Sequence, residues 1–270
     1  MRIRPAAVAD LFYPGDPHVL RNMVDNMLEE CEGKFFHMGS VPKALLVPHA
    51  GYIYSGVTAA YAYNLLRGAD IRRVVMAGPS HRVPCRGLVL PDVDFFSTPL
   101  GDVPLDLSGV RMASACAGVS IQNPPHILEH SLEVQLPFLQ RVLDDFSIVP
   151  LVLGKVSCEA VSQLLHQLWG DARTLILISS DLSHFHDYRE ACAIDRDSLT
   201  RILNREGHLL SHQACGATGI NGLLSVASEK GLTANLLDYR NSGDTAGDKM
   251  RVVGYASVAF YAAGEQEIAP

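Results

Sequence analysis

Short, unbroken apolar runs alternate with amphipathic stretches along most of the chain. Residues 44–47 (Ala-Leu-Leu-Val), 73–78, 146–153 and 174–179 are each four to eight residues long and mostly apolar. That is the pattern of strands buried on both faces. Residues 17–31 carry Leu20, Met23, Val24 and Met27 on one helical face, with Asp16 as cap and Pro17 at the first helical position. Helices are also expected over residues 58–66, over the segment with Val161, Leu164, Leu165 and Leu168, and over residues 188–204 and 213–229. Residues 146–179 then read as strand, helix, strand, which implies parallel pairing and a right-handed crossover. The expected fold is α/β, one domain over residues 1–270, with a largely parallel mixed sheet and helices on both faces.

Less regular stretches complete the outline. Residues 4–14 have a proline near each end and read as an arm packed on the domain. Residues 88–90 and 94–107 suggest a strand and a hairpin, 232–239 and 251–261 two late strands, and 264–270 a frayed tail. In residues 129–140, Leu132, Leu136 and Leu139 form a helical stripe, and Pro137 inside it predicts a kink. His130 and Glu133 beside the stripe fit either support of a nearby site or plain helix capping. Ser55 is placed to cap the Ala-rich helix that follows the first buried run.

The ends of the buried runs carry the candidate chemistry. Pro48 stops the first and His49 follows; Gly78-Pro79-Ser80 stops the second and His81 follows. The run 174–179 leads into Asp181 and His184, and the strand 232–239 leads into a Gly-rich loop with Asp244 and Asp248. In a parallel sheet, strand carboxyl ends share one edge, where ligands collect. His49, His81 and Asp244 fit the two-imidazole, one-carboxylate facial set of non-haem Fe(II) enzymes. His184 suits a proton acceptor, because an imidazole titrates near working pH. Each histidine also has the reading of a loop residue bonded to a carbonyl. Asp181 serves to orient His184, to bind the metal itself as a rival to Asp244, or to cap the next helix.

Composition narrows the function classes. The 270-residue chain is 48% hydrophobic with a net charge of -7 and has no Lys/Arg-rich run, so nucleic acid is not expected as a partner. No apolar stretch is long enough to span a bilayer, and no signal-like segment follows the first residues, so a cytoplasmic protein without membrane association is expected. Cys31, Cys85, Cys116, Cys158, Cys192 and Cys215 include no Cys-x-x-Cys pair, which argues against a structural zinc site or disulfide framework. Cys215 reads as a buried structural thiol.

Several long motifs occur in one order: residues 4–14, Val47-Pro-His-Ala-Gly-Tyr-Ile-Tyr-Ser-Gly56, Gly78-Pro-Ser-His81, Thr98-Pro-Leu-Gly101, Glu129-His-Ser-Leu-Glu-Val-Gln-Leu-Pro-Phe138, Ser179-Ser-Asp-Leu-Ser-His184 and Cys215-Gly216. Together they resemble the Memo family, known in bacteria and archaea as protein B of the AmmeMemoRadiSam system. That family is similar in fold to the LigB-like class III extradiol dioxygenases. The resemblance implies His49 and His81 as metal ligands and His184, with Asp181 beside it, as the acid/base group. Animal members carry a cysteine as third ligand, assigned to the region where this chain has Ser242-Gly-Asp-Thr245; Asp244 is its expected substitute and Asp248 the competitor. A carboxylate there favours Fe(II), with Mn, Zn and Cu as other candidates. The implied function is a metal-dependent oxidoreductase on an unknown small-molecule substrate. The alternatives are a non-catalytic module for phosphorylated or other anionic ligands and an accessory component with radical-SAM partner proteins.

Overall fold

The structure is a computed structural model that describes residues 1–33 and 40–262; the tail expected at 264–270 lies outside the described residues. In chain order the strands are β1 (Ile3–Arg4), β2 (Ala44–Val47), β3 (Arg73–Pro79), β4 (Leu88–Leu90), β5 (Phe95–Thr98) and β6 (Gly101–Pro104). They continue as β7 (Val119–Ile121), β8 (Ser147–Leu153), β9 (Thr174–Ser179), β10 (His184–His186), β11 (Thr233–Asn241) and β12 (Val252–Tyr261). The helices are α1 (Pro17–Glu30), α2 (Tyr52–Asn64), α3 (Leu107–Ser114), α4 (Pro124–Ile127), α5 (Leu136–Val142), α6 (Cys158–Gln167), α7 (Tyr188–Asn204) and α8 (Ala217–Glu229).

The main sheet runs β10-β12-β2-β9-β3-β8-β4-β7, with β11 paired to β12, and β1, β5 and β6 form a small separate sheet. Its four central strands, β2, β9, β3 and β8, are mutually parallel, while β12 joins β2 and β4 joins β8 antiparallel. The fold is therefore α/β with a mixed sheet whose centre is parallel. Strand alternation assigns the two faces. Leu45, Val47, Val74, Met76, Leu175 and Leu177 pack in the core with Leu20 and Val24 of α1 and Phe138 of α5. Their neighbours Leu46, Val75, Ala77, Ile176 and Ile178 pack on the other side with Val161 of α6, Ile202 of α7 and Ile220 of α8. Both faces are covered, which is why these strands read as continuous apolar runs.

Three expectations change in detail. Pro137 does not kink a helix: a 3-10 turn at Glu133–Gln135 precedes α5, and Pro137 sits in the first turn of α5, where its missing N–H costs nothing. Ser55 lies inside α2, which begins at Tyr52 after Gly51, and its hydroxyl bonds the carbonyl of Ala50. The helix expected from residue 213 starts at Ala217. Among the described residues no helix is long and apolar enough to cross a membrane.

The arm is held by one buried carboxylate. Glu133 is 0% exposed and accepts bonds from the backbone N–H groups of Ala7 and Val8, the Tyr13 hydroxyl at 2.6 Å and Arg4 Nη1 at 2.6 Å. Removing one partner of a buried ion pair leaves the other charge uncompensated, at a cost of about 3–5 kcal/mol. Glu133→Ala should lower unfolding stability by that order in urea titration and expose the arm to limited proteolysis; Glu133→Gln should lose less.

Candidate metal centre

Because β9 lies between β2 and β3, the loops leaving these three parallel strands stand side by side at one edge of the sheet. The first carries His49, the second Asp181 and His184, the third His81. Across this edge lies the segment between α4 and α5, which brings in His130. The His49 and His81 ring centroids are 5.1 Å apart, His49 and His130 5.4 Å, and His81 and His130 4.6 Å. One ligand atom from each of the three lies within 4.8 Å of the others, a spacing that one metal ion can bridge.

The same segment supplies the supports. Glu129, 2% exposed, accepts His81 Nδ1 at 2.8 Å, the His81 backbone N–H at 2.5 Å, and the backbone N–H groups of His130 and Ser131 at 3.0 Å. Burial alone would raise its pKa, but the hydrogen bonds and charge of His81 outweigh it and hold the carboxyl at about 2. His49 is 1% exposed; its Nδ1 lies 2.8 Å from Ser179 Oγ and its backbone N–H donates to Asp181 Oδ1 at 2.7 Å. Burial, and then the charges of His81 and His130, hold the His49 pKa well below the usual imidazole value. Burial also lowers His130, to about 4. Neutral imidazole is the ligating form, so both shifts favour a metal.

Two polar atoms at the cluster fit such an ion. His130 Nδ1 is buried and makes no hydrogen bond, with Glu129 Oε1 3.4 Å away, an arrangement that native interiors rarely leave without a reason. Cys215 Sγ lies 3.3 Å from His49 Nε2 and also receives the Asp181 backbone N–H at 3.3 Å. Burial, with the Asp181 carboxylate next, pushes the Cys215 thiol up to about 12, so it is protonated at neutral pH. Asp181 Oδ2 is 3.9 Å from His49 Nε2, and burial raises its pKa despite the bond from His49. A cavity of about 360 Å³ opens beside Cys215, lined among others by Ser80, Cys85, Lys155 and Thr218.

His49 and His81 thus come together as the strand ends suggested, and Asp181 lies next to His49. The structure does not bring Asp244 to them. Strand β11 runs parallel to β2, but β12 stands between them, so the loop after β11 is displaced sideways by about two strand spacings of 4.8 Å each. Asp244 is exposed and already occupied: Oδ1 accepts the Tyr188 hydroxyl at 2.7 Å, and Oδ2 accepts the Asn241 N–H at 3.0 Å in a capping box. Asp248, also exposed, accepts the Met250 N–H at 2.7 Å. Among the described residues, the third group within reach of both histidines is His130. The Cys215 thiol, read from sequence as merely structural, touches the site. His184 opens the short strand β10; its Nδ1 lies 2.8 Å from the Leu182 carbonyl.

The sequence profile of the family described as "Memo-like protein" matches residues 4–259. The chain belongs to the Memo family. A MEMO1 family protein of Aquifex aeolicus is 35% identical over 279 residues, covering 96% of this chain and 100% of that one. Another Memo relative, from Methanosarcina mazei, is 38% identical over 277 residues, with 96% and 99% covered. The fold is also similar to that of a solved structure with little sequence likeness. The crystal structure of the uncharacterized protein JW3007 from Escherichia coli K12 superposes with a TM-score of 0.52 over 80% of this chain and 98% of that one, at 13% identity.

The lowered His130 pKa has a thermodynamic consequence for this Memo protein without metal. Between pH 6.5 and about 4 the unfolded chain binds a proton at residue 130 that the native chain does not, so stability falls as pH falls. From pH 7.5 to 5 this amounts to about 2 kcal/mol. Urea unfolding of the metal-free His130→Gln variant should show a decline over that range smaller by this amount than in the parent.

Proposed function

We propose that the protein is a metal-dependent oxidoreductase with a mononuclear non-haem Fe(II) centre related to the extradiol-dioxygenase type, held by His49, His81 and His130, with a third imidazole where that type has a carboxylate, and acting on a small hydroxyl-bearing substrate. The observation that carries this reading is the convergence of three imidazoles within 4.8 Å at the carboxyl edge of the parallel strands. Imidazole donors suit iron, along with zinc, copper and nickel. A divalent ion on three neutral rings keeps its charge, and the Asp181 carboxyl, 3.9 Å from His49 Nε2, is placed to offset part of it. When bound, such an ion supplies open coordination positions for a substrate hydroxyl and dioxygen and makes the hydroxyl more acidic.

The chain's own groups handle the proton. A carbonyl oxygen only accepts, so the His184 nitrogen facing Leu182 carries the hydrogen and Nε2 keeps its lone pair. That lone pair can take the substrate proton, the general-base role. Glu129 keeps His81 in a fixed orientation throughout, through bonds to both its ring and its backbone.

Element analysis after anaerobic purification tests the ligand set. The parent should carry stoichiometric iron, His130→Ala should lose most of it, and Asp244→Ala should keep it. His184→Ala should retain the metal while losing oxygen uptake with catechol-type substrates. A parent protein free of transition metal, or a His130→Ala variant with full metal content, would refute the reading.

A further inference from the structure

We propose that Ser179 fixes the tautomer of His49, so that the Nε2 lone pair is exposed for a divalent transition metal before any metal arrives. The inference rests on the metal reading above for its purpose, and on a count of hydrogens for its substance. Ser179 ends β9 and is 0% exposed. Its hydroxyl has one proton to give and two lone pairs to accept with. Three partners surround it: the Ser131 carbonyl at 2.6 Å, Gln135 Nε2 at 2.9 Å and His49 Nδ1 at 2.8 Å.

The roles follow from what each partner can do. The Ser131 carbonyl can only accept, so it takes the single hydroxyl proton. Gln135 Nε2 also faces the Pro48 carbonyl at 2.9 Å, while its Oε1 accepts the Tyr63 hydroxyl at 2.6 Å, so the amide is oriented with its N–H groups toward Ser179. Having given its proton to Ser131, the serine oxygen can only accept from His49. His49 therefore carries its hydrogen on Nδ1, leaving Nε2 as an acceptor that faces the Cys215 thiol at 3.3 Å. Without Ser179, His49 Nδ1 loses the hydrogen-bond partner it has among the described residues, and the Nε2–H form, turned toward Asp181 and Cys215, would compete.

Ser179 is thus a positioning residue, and its role is visible in the metal-free protein. Long-range ¹H–¹⁵N spectra of metal-free protein with ¹⁵N-labelled histidine, with His49 identified by the signal lost in His49→Asn, read the tautomer directly. The parent should show the proton on Nδ1; in Ser179→Ala a substantial Nε2–H population should appear, and zinc affinity should fall about 10- to 100-fold. A parent spectrum with the proton on Nε2 overturns the inference, whether or not the variant folds. So does a folded Ser179→Ala protein with unchanged tautomer. A parent that binds no zinc, yet whose tautomer responds to Ser179→Ala, counts against the metal reading and for the role of Ser179.

Discussion

Burying the Glu129 carboxylate is costly unless donors surround it, and the chain supplies them from two places at once. The loop after β3 gives the His81 ring and backbone N–H, and the carboxylate's own segment gives the N–H groups of His130 and Ser131. One side chain thereby joins a strand end to a segment some fifty residues downstream in sequence. His81 and His130 are stacked at 4.6 Å because of it. The second tie is made by Gln135, which reaches the carbonyl after β2 and the hydroxyl that ends β9. Together the two ties lay residues 129–135 across the strand ends and close the site from above.

What could be read from the sequence follows the range of the forces involved. Burial on both faces leaves an apolar run, and the breaks that end such runs identify strand ends, so His49, His81 and Asp181 were legible. Strand β11 shows the limit of the same logic. It ends at the same edge of the sheet, but which strand stands beside which is decided by pairing far apart in the chain, and β12 inserts between β11 and β2. His130 was obscured for another reason: its leucine neighbours have helical spacing, so the stretch read as the start of a helix, whereas the backbone there makes an irregular crossing before α5. The contact of Cys215 with His49 depends on where the loop before α8 lands, and no local pattern encodes that.

The residues around the cluster divide the labour between charge and geometry. Low dielectric keeps His49 and His130 neutral, the form that binds a metal, while the surrounding carboxyls stay at the margin. Glu129 remains an anion because four N–H bonds stabilise it. Asp181 receives less support and its pKa rises. Two buried acids beside the same imidazoles are thus set apart by how far donors and neighbouring charge offset their burial.

The arm anchored on Glu133 imposes an order of events on the chain. Arg4 and Glu133 are 129 residues apart, so the arm has nowhere to dock until the whole of that intervening stretch has followed it. Closing so long a loop is paid for in entropy before any contact rewards it. The turn that receives the arm also begins three residues after His130. The Phe12 ring of the arm also lies 4.6 Å from that of His130, so an unseated arm would leave this side of the histidine cluster uncovered.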